Sequence, residues 1–521
     1  MKAASPTKDT PLKPVLKENL RQRAYLNSIT TLFNYGAGTI TGFVVTPFLV
    51  SGLGSTLFGI WQILGQFTAY TNLADIRATQ VLKWAVARDR ETVSEDVLRQ
   101  YVTASFIIVL FMLPLVLIAG SFIAWYAPMI TKAGEEYTNI VRFTCLLLVL
   151  AIVIDKVADT FDSVLRGMNL GFKLMGIFPL IMVAAGGLKI MVIVLGFGLI
   201  GIAVVQVIVS LIIGTILYII VKKSVPWFGF GKVNLNRVKS FLKTSGWFIG
   251  WTGAKILLTN SDKILLGYIA GPIMVTQYVI TKYLANTVQG LITNIIHGVI
   301  PGLGKLYGNG AYERLFKARE HMMLITWIFA VSIGTLVLVF NESFLIIWIG
   351  EGKFAGGLSN ILIVIMITQY MFIQNDAAII QITLDLKQQV YFSLTAAMVS
   401  IGLSMLLIER YGIAGLCIAI ISGRFIATIS YPWIVYAKTN KKFSTKSIPY
   451  RLIFSTLIIW GGAYSLSKVI SIHSWLMLIG SVFILFPFVI VLLYFTSFSK
   501  RQRNEISNYA YKIEFRQIID R

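Results

Sequence analysis

The chain has 521 residues, 56% of them hydrophobic and only 13% charged, with a mean hydropathy of +0.76. Water-soluble domains carry about 25% charged residues, so this chain lacks the polar groups to cover a water-exposed surface, and lipid must be its main solvent. The net charge of +23 fits nucleic acid, an anionic membrane surface or control of membrane topology, and the positions of the basic residues favour topology and leave no nucleic-acid interface. Two cysteines, Cys145 and Cys417, and three histidines, His297, His321 and His473, supply neither a disulfide framework nor metal-ligand spacing.

In chain order, residues 1–25 form a polar, basic tail with no apolar core of signal-peptide type, so the first helix is expected to act as an uncleaved anchor. A spanning helix needs about 20 mostly apolar residues. Such runs fall at 26–50, 56–79, 100–126, 139–163, 174–196, 199–221, 244–267, 273–298, 321–341, 357–382, 389–408, 412–437, 450–469 and 473–497. This predicts an all-α integral membrane protein with about fourteen transmembrane helices. Basic residues crowd alternate loops: Lys13 to Arg23, Lys83 to Arg99, Lys222 to Lys243, Lys305 to Arg319, Lys438 to Lys446, and Lys500 to Arg516. The opposite loops hold few, such as Lys132, Lys353 and Arg410. The bias places both ends in the cytoplasm of a multi-pass protein of the bacterial inner membrane.

The segment LGSTLFGIW at 53–61 is similar to AGPIMVTQY at 270–278, an offset of 217 that also carries Asp159 onto Asp376. Parallel halves follow, related by an axis along the membrane normal. The expected division is a tail at 1–25, a six-helix lobe at 26–221, a linker at 222–243, a second lobe at 244–437, two extra helices at 450–497 and a tail at 498–521.

Ionisable residues inside a span are costly and usually face a cavity or a partner. The deepest are Asp155, Asp159, Lys189, Lys255, Lys282, Asp376 and Arg424. Asp155, Asp159, Asp162 and Arg166 share one face of the fourth helix, with Asp155 roughly 15 Å further in than Arg166. Asp155, Asp159 and Asp376 are candidates for binding Na⁺ or H⁺. Lys189, Lys255, Lys282 and Arg424 are candidates for holding a phosphate or carboxylate in a cavity. The alternative for all of them is neutral pairing within the structure. Pro47 and Pro179 are candidate hinges.

No G-x-x-x-x-G-K-[ST] occurs: Val233 follows Gly231-Lys232, and Leu306 follows Gly304-Lys305. Its absence argues against an ATP-driven pump in a single chain, and no loop is long enough to fold as a catalytic domain. A transferase embedded in the helices stays open at this point, although acidic residues are few and the loops lack a metal-binding carboxylate cluster; no cofactor is expected.

Three segments carry a family resemblance. Residues 46–79 (TPFLVSGLGSTLFGIWQILGQFTAYTNLADIRAT), residues 260–278 (NSDKILLGYIAGPIMVTQY) and the Pro301-Gly302-Leu303 turn followed by Tyr312-Glu313-Arg314-Leu315 are similar to the Wzx-type polysaccharide flippases of the multidrug/oligosaccharidyl-lipid/polysaccharide (MOP) exporter superfamily. The chain departs from the family at Asp75-Ile76-Arg77, where a positive charge stands in place of glycine. The resemblance implies two six-helix lobes around a central cavity lined by cations, alternating access, and export of undecaprenyl-pyrophosphate-linked oligosaccharide repeat units for surface polysaccharide such as the O-antigen of lipopolysaccharide. It further implies membrane lipids and other polysaccharide-assembly membrane proteins as partners. Two other functions fit a polytopic chain. A cation-coupled multidrug antiporter of the same fold would want an acidic, aromatic cavity, against which the deep basic excess speaks. A membrane polysaccharide polymerase or ligase would be expected to carry a large external loop, and the sequence has none.

Overall fold

A computed structural model describes residues 20–71, 78–232, 235–383, 385–439 and 450–497. Much of both expected tails and the Asp75-Ile76-Arg77 departure lie outside the described residues. Among those residues the chain is all-α, without strands.

The first two apolar runs form one helix, α1 (Leu20–Thr71), broken only at Gly54, where φ of 70° and ψ of 172° leave the helical region. That φ is open to glycine at little cost, so the chain turns there without a loop. Pro47 stands inside α1, about two turns before the break. There follow α2 (Ala78–Asp89), α3 (Glu95–Ile130), α4 (Thr138–Gly167), α5 (Ile177–Val194) and α6 (Gly198–Ser224). Pro179 stands in the first turn of α5, where no intrahelical partner awaits its missing N–H. Next come α7 (Leu235–Ala270), α8 (Pro272–Thr281), α9 (Tyr283–Gly308), α10 (Tyr312–Ile349) and α11 (Gly357–Ile382). The eleventh and twelfth runs again form one helix, α12 (Lys387–Lys438), kinked at Gly412 with φ of 53°. The chain ends in α13 (Tyr450–Ser467) and α14 (Trp475–Ser497).

Eight of these helical segments are long and apolar enough to cross a membrane, and two of the eight, in α1 and α12, each hold two of the sequence runs. Helices α4, α7 and α9 are outside that set, and each carries polar or charged residues within its length, Asp155, Lys156 and Asp159 in α4 for example.

Two expectations need correction. The Pro301-Gly302-Leu303 segment is not a turn: α9 runs through it to Gly308, and the chain turns at 309–311. A proline removes one backbone hydrogen bond, and α9 continues past that loss. Arg319, read as a loop residue, lies two turns inside α10.

The helices group into two compact units, one of the described residues of 1–276 with 386–412, the other of 277–385 with 413–521. Packing thus places α7 and the first half of α12 with the first six runs. In the first unit α4 is the hub, packing on α3, α6 and α2. Small residues allow close approach: a Cβ on Gly120 would stand 2.6 Å from Val149, and one on Gly167 would stand 2.9 Å from the Lys83 carbonyl oxygen. An apolar core joins Leu82, Leu98, Val164, Leu165 and Val221. In the second unit α10 is the hub, packing on α9, α11, α13 and α14. Trp327 Nε1 donates to Thr456 Oγ1 at 3.0 Å, and the Ile472 N–H donates to Ser343 Oγ at 3.1 Å. These bonds tie α13 and the segment after it onto α10.

Candidate functional site

The sequence singles out seven ionisable residues, and the structure places each in a defined setting. In the first unit, the acidic face of α4 forms as its spacing predicts. Asp162 Oδ2 accepts from Arg166 Nε at 2.6 Å, one turn apart. Asp159 Oδ2 lies 3.8 Å from Lys156 Nζ, and the two differ in surroundings: the lysine side chain is buried, whereas the aspartate is half-exposed. Asp155, two turns before Asp162, is half-buried beside Ser210 of α6. One turn from Ser210 on the same helix, Gln206 Oε1 lies 3.5 Å from Lys189 Nζ of α5. Three helices therefore hold a polar strip in an otherwise apolar bundle, with Lys189 at one end and Arg166 at the other.

Lys83 of α2 faces the lower part of this strip. Burial, reinforced by the positive charge of Arg166, holds its ammonium pKa below the usual lysine value, and the Asp162 carboxylate opposes them.

Lys255 is an exposed residue of α7, with its carbonyl accepting from Thr259 Oγ1 at 2.7 Å. The Ser261–Gly267 motif lies just beyond it and proves to be a packing seam against α1. Ser261 Oγ and Tyr70 Oη share a hydrogen bond of 2.7 Å, Lys263 Nζ donates to Gln62 Oε1 at 3.1 Å, and a Cβ on Gly267 would fall 2.3 Å from Ile63. The side chain of Asp262 is buried, and its Oδ1 accepts from the Lys263 N–H at 2.8 Å. These contacts, to residues 62, 63 and 70 of α1, pin the two helices together along about two turns.

In the second unit, Lys282 sits at the break between α8 and α9. Its Nζ donates to Tyr278 Oη at 2.8 Å and lies 4.8 Å from that ring's centre. The break is fixed by buried amides: Asn341 Nδ2 donates to the Thr281 carbonyl and to Asn360 Oδ1, each at 2.8 Å. Arg424 of α12 is 7% exposed, with its guanidinium 4.9 Å from the centre of the Tyr370 ring. Beside it Gln369 Nε2 donates to the Ile421 carbonyl at 3.0 Å, joining α11 to α12. Guanidinium and ammonium groups over aromatic faces are favoured by the ring quadrupole, more so when water is excluded. Lys282 and Arg424 thus each have a tyrosine of their own.

Asp376 is 2% exposed on α11 and fully engaged. Arg319 Nε donates to Oδ1 at 2.6 Å and Nη2 to Oδ2 at 2.9 Å, a bidentate pair. The same guanidinium lies 5.6 Å from the Phe316 ring centre and 5.7 Å from that of Tyr436. Arg319 is the charged residue that sequence reasoning missed. Its signal was Asp376 itself, since a carboxylate this deep demands a cation.

Of the seven, the structure links Asp155 and Lys189 through successive turns of α6, and pairs Asp159 and Asp376 with cations outside the list. Chemically, the strip in the first unit offers carboxylates and hydroxyls that can exchange a cation or proton. The second unit offers one buried and one half-buried cation against aromatic rings, suited to an anionic head group.

A family model described as polysaccharide biosynthesis protein matches residues 26–307. A comparison with curated proteins yields no match. Among solved structures, the inward closed conformation of the lipid II flippase MurJ superposes with a TM-score of 0.68 at 13% identity, covering 90% of this chain and 99% of that one. An inward-facing multidrug resistance MATE family transporter of the MOP superfamily gives 0.61 at 15% identity, covering 81% and 100%. A MOP superfamily transporter from Pyrococcus furiosus, described as having a binding pocket of reversed polarity, gives 0.56 at 15% identity, covering 80% and 96%. These likenesses fix the fold as that of the MATE and MurJ transporters: an all-α, multi-pass membrane protein.

Proposed function

Since the chain belongs to the polysaccharide biosynthesis protein family, we propose that it is a flippase, not an enzyme, that carries undecaprenyl-pyrophosphate-linked oligosaccharide from the cytoplasmic to the outer leaflet of the bacterial inner membrane. The observation that carries the reading is the family match together with a likeness to a lipid II flippase over 90% of the chain. A glycan with a pyrophosphate is too polar to cross hydrocarbon unaided. Lys189, Lys255, Lys282 and Arg424 bind the anionic head group, while the polyprenyl tail stays in lipid. Alternating access moves the head group between faces, with Pro47 and the glycine break at Gly54 as bending points. A Na⁺ or H⁺ gradient drives the return through Asp155 and Asp159, with Asp376 a further coupling candidate once its pair with Arg319 opens. Both chain ends face the cytoplasm, and the partners are membrane lipids and other membrane proteins of surface-polysaccharide assembly.

Deleting the gene tests this. Lipid-linked oligosaccharide is expected to accumulate on the cytoplasmic face, and Arg424→Ala and Lys255→Ala are expected to abolish surface polysaccharide at normal protein levels. Wild-type polysaccharide in both variants would remove the head-group assignment. The likeness to a multidrug transporter favours one second reading, efflux of cationic drugs. Drug resistance that is lost on substitution of Asp155 or Asp159, with polysaccharide intact, would establish it instead.

A further inference from the structure

Helix α6 of the first unit leaves one face uncovered. Val204, Ile208, Leu211, Ile212 and Ile219 recur at the spacing of a single helical face, each 40–56% exposed. Thr215 shares that face and closes its Oγ1 on the Leu211 carbonyl at 2.8 Å, so its hydroxyl needs no partner outside the helix. Leu199, Ile202, Leu217 and Val221, on the other side of α6, are buried. The exposed face ends in charge. Lys222 stands about five turns beyond Val204 on the same line, with Lys223 beside it, and both are exposed. The rise from Val204 to Lys222 is roughly 27 Å, close to the ~30 Å of a bilayer's hydrocarbon core. Tyr218, 42% exposed and one turn before Lys222, has its ring centre 5.8 Å from Lys222 Nζ. Aromatic rings and basic side chains of this kind mark the level of the lipid head groups. A third cation comes from the helical turn Gly171–Leu174, where Lys173 Nζ donates to Ser224 Oγ at 3.0 Å. Among the described residues none of these three lysines pairs with a carboxylate. Arg88, Arg99 and Arg166 of the same unit are held by Asp89, Asp96 and Asp162. The C-terminal dipole of α6 supplies roughly half a negative charge, against three positive ones.

We propose that this end of α6 is a binding site for an anionic phospholipid of the leaflet on the basic side of the protein. The lipid phosphate rests on Lys222 and Lys223, with Lys173 flanking it. The acyl chains cover the near half of the exposed face, from Leu211 to Ile219, a rise of roughly 12 Å. Two requirements meet on one helix: an apolar face that acyl chains solvate as well as leucine does, and uncompensated positive charge at the depth where the head group of the same lipid lies. A free anion would use the lysines alone, and a zwitterionic lipid would use the face but bring a cation of its own to the lysines. The site does not depend on what the chain transports.

The test reads the lysines directly. The full chain goes into nanodiscs of phosphatidylcholine alone or of phosphatidylcholine with one-fifth phosphatidylglycerol, and lysine acetylation by an amine-selective reagent is mapped by peptide mass spectrometry. Phosphatidylglycerol is expected to slow labelling of Lys222 and Lys223 at least threefold more than that of Lys317, an exposed lysine of α10. Equal slowing at all three is what a charged surface alone would cause, and it overturns the site. Protection as large from inorganic phosphate added to the phosphatidylcholine discs makes this a free-anion site and overturns the lipid. In a second arm, the detergent-purified chain is offered an equimolar mixture of the two phospholipids and the retained lipid is weighed by mass spectrometry. The wild type is expected to retain at least threefold more phosphatidylglycerol. The variant with Lys173→Gln, Lys222→Gln and Lys223→Gln is expected to retain both equally, with thermal unfolding in detergent unchanged as the check on folding. An undiminished preference in that variant overturns the assignment. Displacement of phosphatidylglycerol by an equal amount of polyprenyl phosphate would make the lysines a contact for cargo, and overturns it as well.

Discussion

Helices α4 and α11 occupy equivalent places in the sequence repeat and carry equivalent aspartates, yet they treat them in opposite ways. Asp159 is half-exposed, 3.8 Å from a lysine on its own helix. Asp376 is buried and gripped at both oxygens by an arginine from α10. The repeat has preserved backbone features, the glycine breaks at Gly54 and Gly271 above all, and left the charges to diverge. One half leaves its carboxylate half-exposed. The other has turned its counterpart into a joint between helices.

The sharpest way to break this comparison is Asp376→Asn. It leaves the Arg319 guanidinium buried without its counter-charge, and removal of one partner from a buried pair costs about 3–5 kcal/mol. Thermal unfolding of the purified protein is expected to shift down by several degrees, and Arg319→Met in the same chain to recover much of the loss. No loss from Asp376→Asn alone would show that the pair is not a joint. Next in size is Gly167→Ala at the end of α4. The new methyl meets the Lys83 carbonyl oxygen at 2.9 Å, and overpacking of this kind costs about 1–3 kcal/mol. An unchanged melting temperature would mean that α2 moves aside freely.

Lys263→Met tests the α1–α7 seam. It removes the bond to Gln62 at 3.1 Å, worth about 1 kcal/mol, and is expected to lower the melting temperature slightly. Asp159→Asn is expected to have the smallest effect on stability, under about 1 kcal/mol, as for exposed pairs generally. A loss as large as that of Asp376→Asn would erase the contrast. Asp162→Asn sharpens the electrostatics of α4 in another way. Asp162 raises the Lys83 pKa while burial and Arg166 lower it, so removing the carboxylate moves the pKa further down. Lys83 is then neutral over more of the alkaline range, and its acetylation by an amine-selective reagent at fixed pH is expected to quicken. Slower labelling would contradict the sign.

Much of the fold was legible in the sequence because membrane helices announce themselves by length and hydropathy. The junctions of the first and second runs and of the eleventh and twelfth were visible as short gaps between apolar stretches, though not that the helix would pass through each with only a kink at a glycine. The ion pair of Asp376 was hidden for a physical reason. Hydropathy ends a span where charge begins, so Arg319 read as loop, whereas the helical hydrogen bonds of α10 continue two turns below it and swing the guanidinium inward. Lys282 and Arg424 were singled out as charges within apolar runs, but their tyrosine partners, Tyr278 and Tyr370, leave no mark in a charge pattern. The Ser261–Gly267 motif was visible as a family feature. Its work as a seam against Gln62, Ile63 and Tyr70 depends on contacts about 200 residues apart, which no local pattern encodes.

The most direct test of the account is movement of a fluorescent polyprenyl-pyrophosphate oligosaccharide across proteoliposomes holding the purified chain, with Na⁺ and H⁺ gradients applied in turn. The account predicts that the head group crosses under at least one gradient, and that Arg424→Ala reduces the rate at least tenfold while the protein remains folded. No crossing by the wild-type chain under either gradient, with the bilayers sealed and the protein folded, would contradict it.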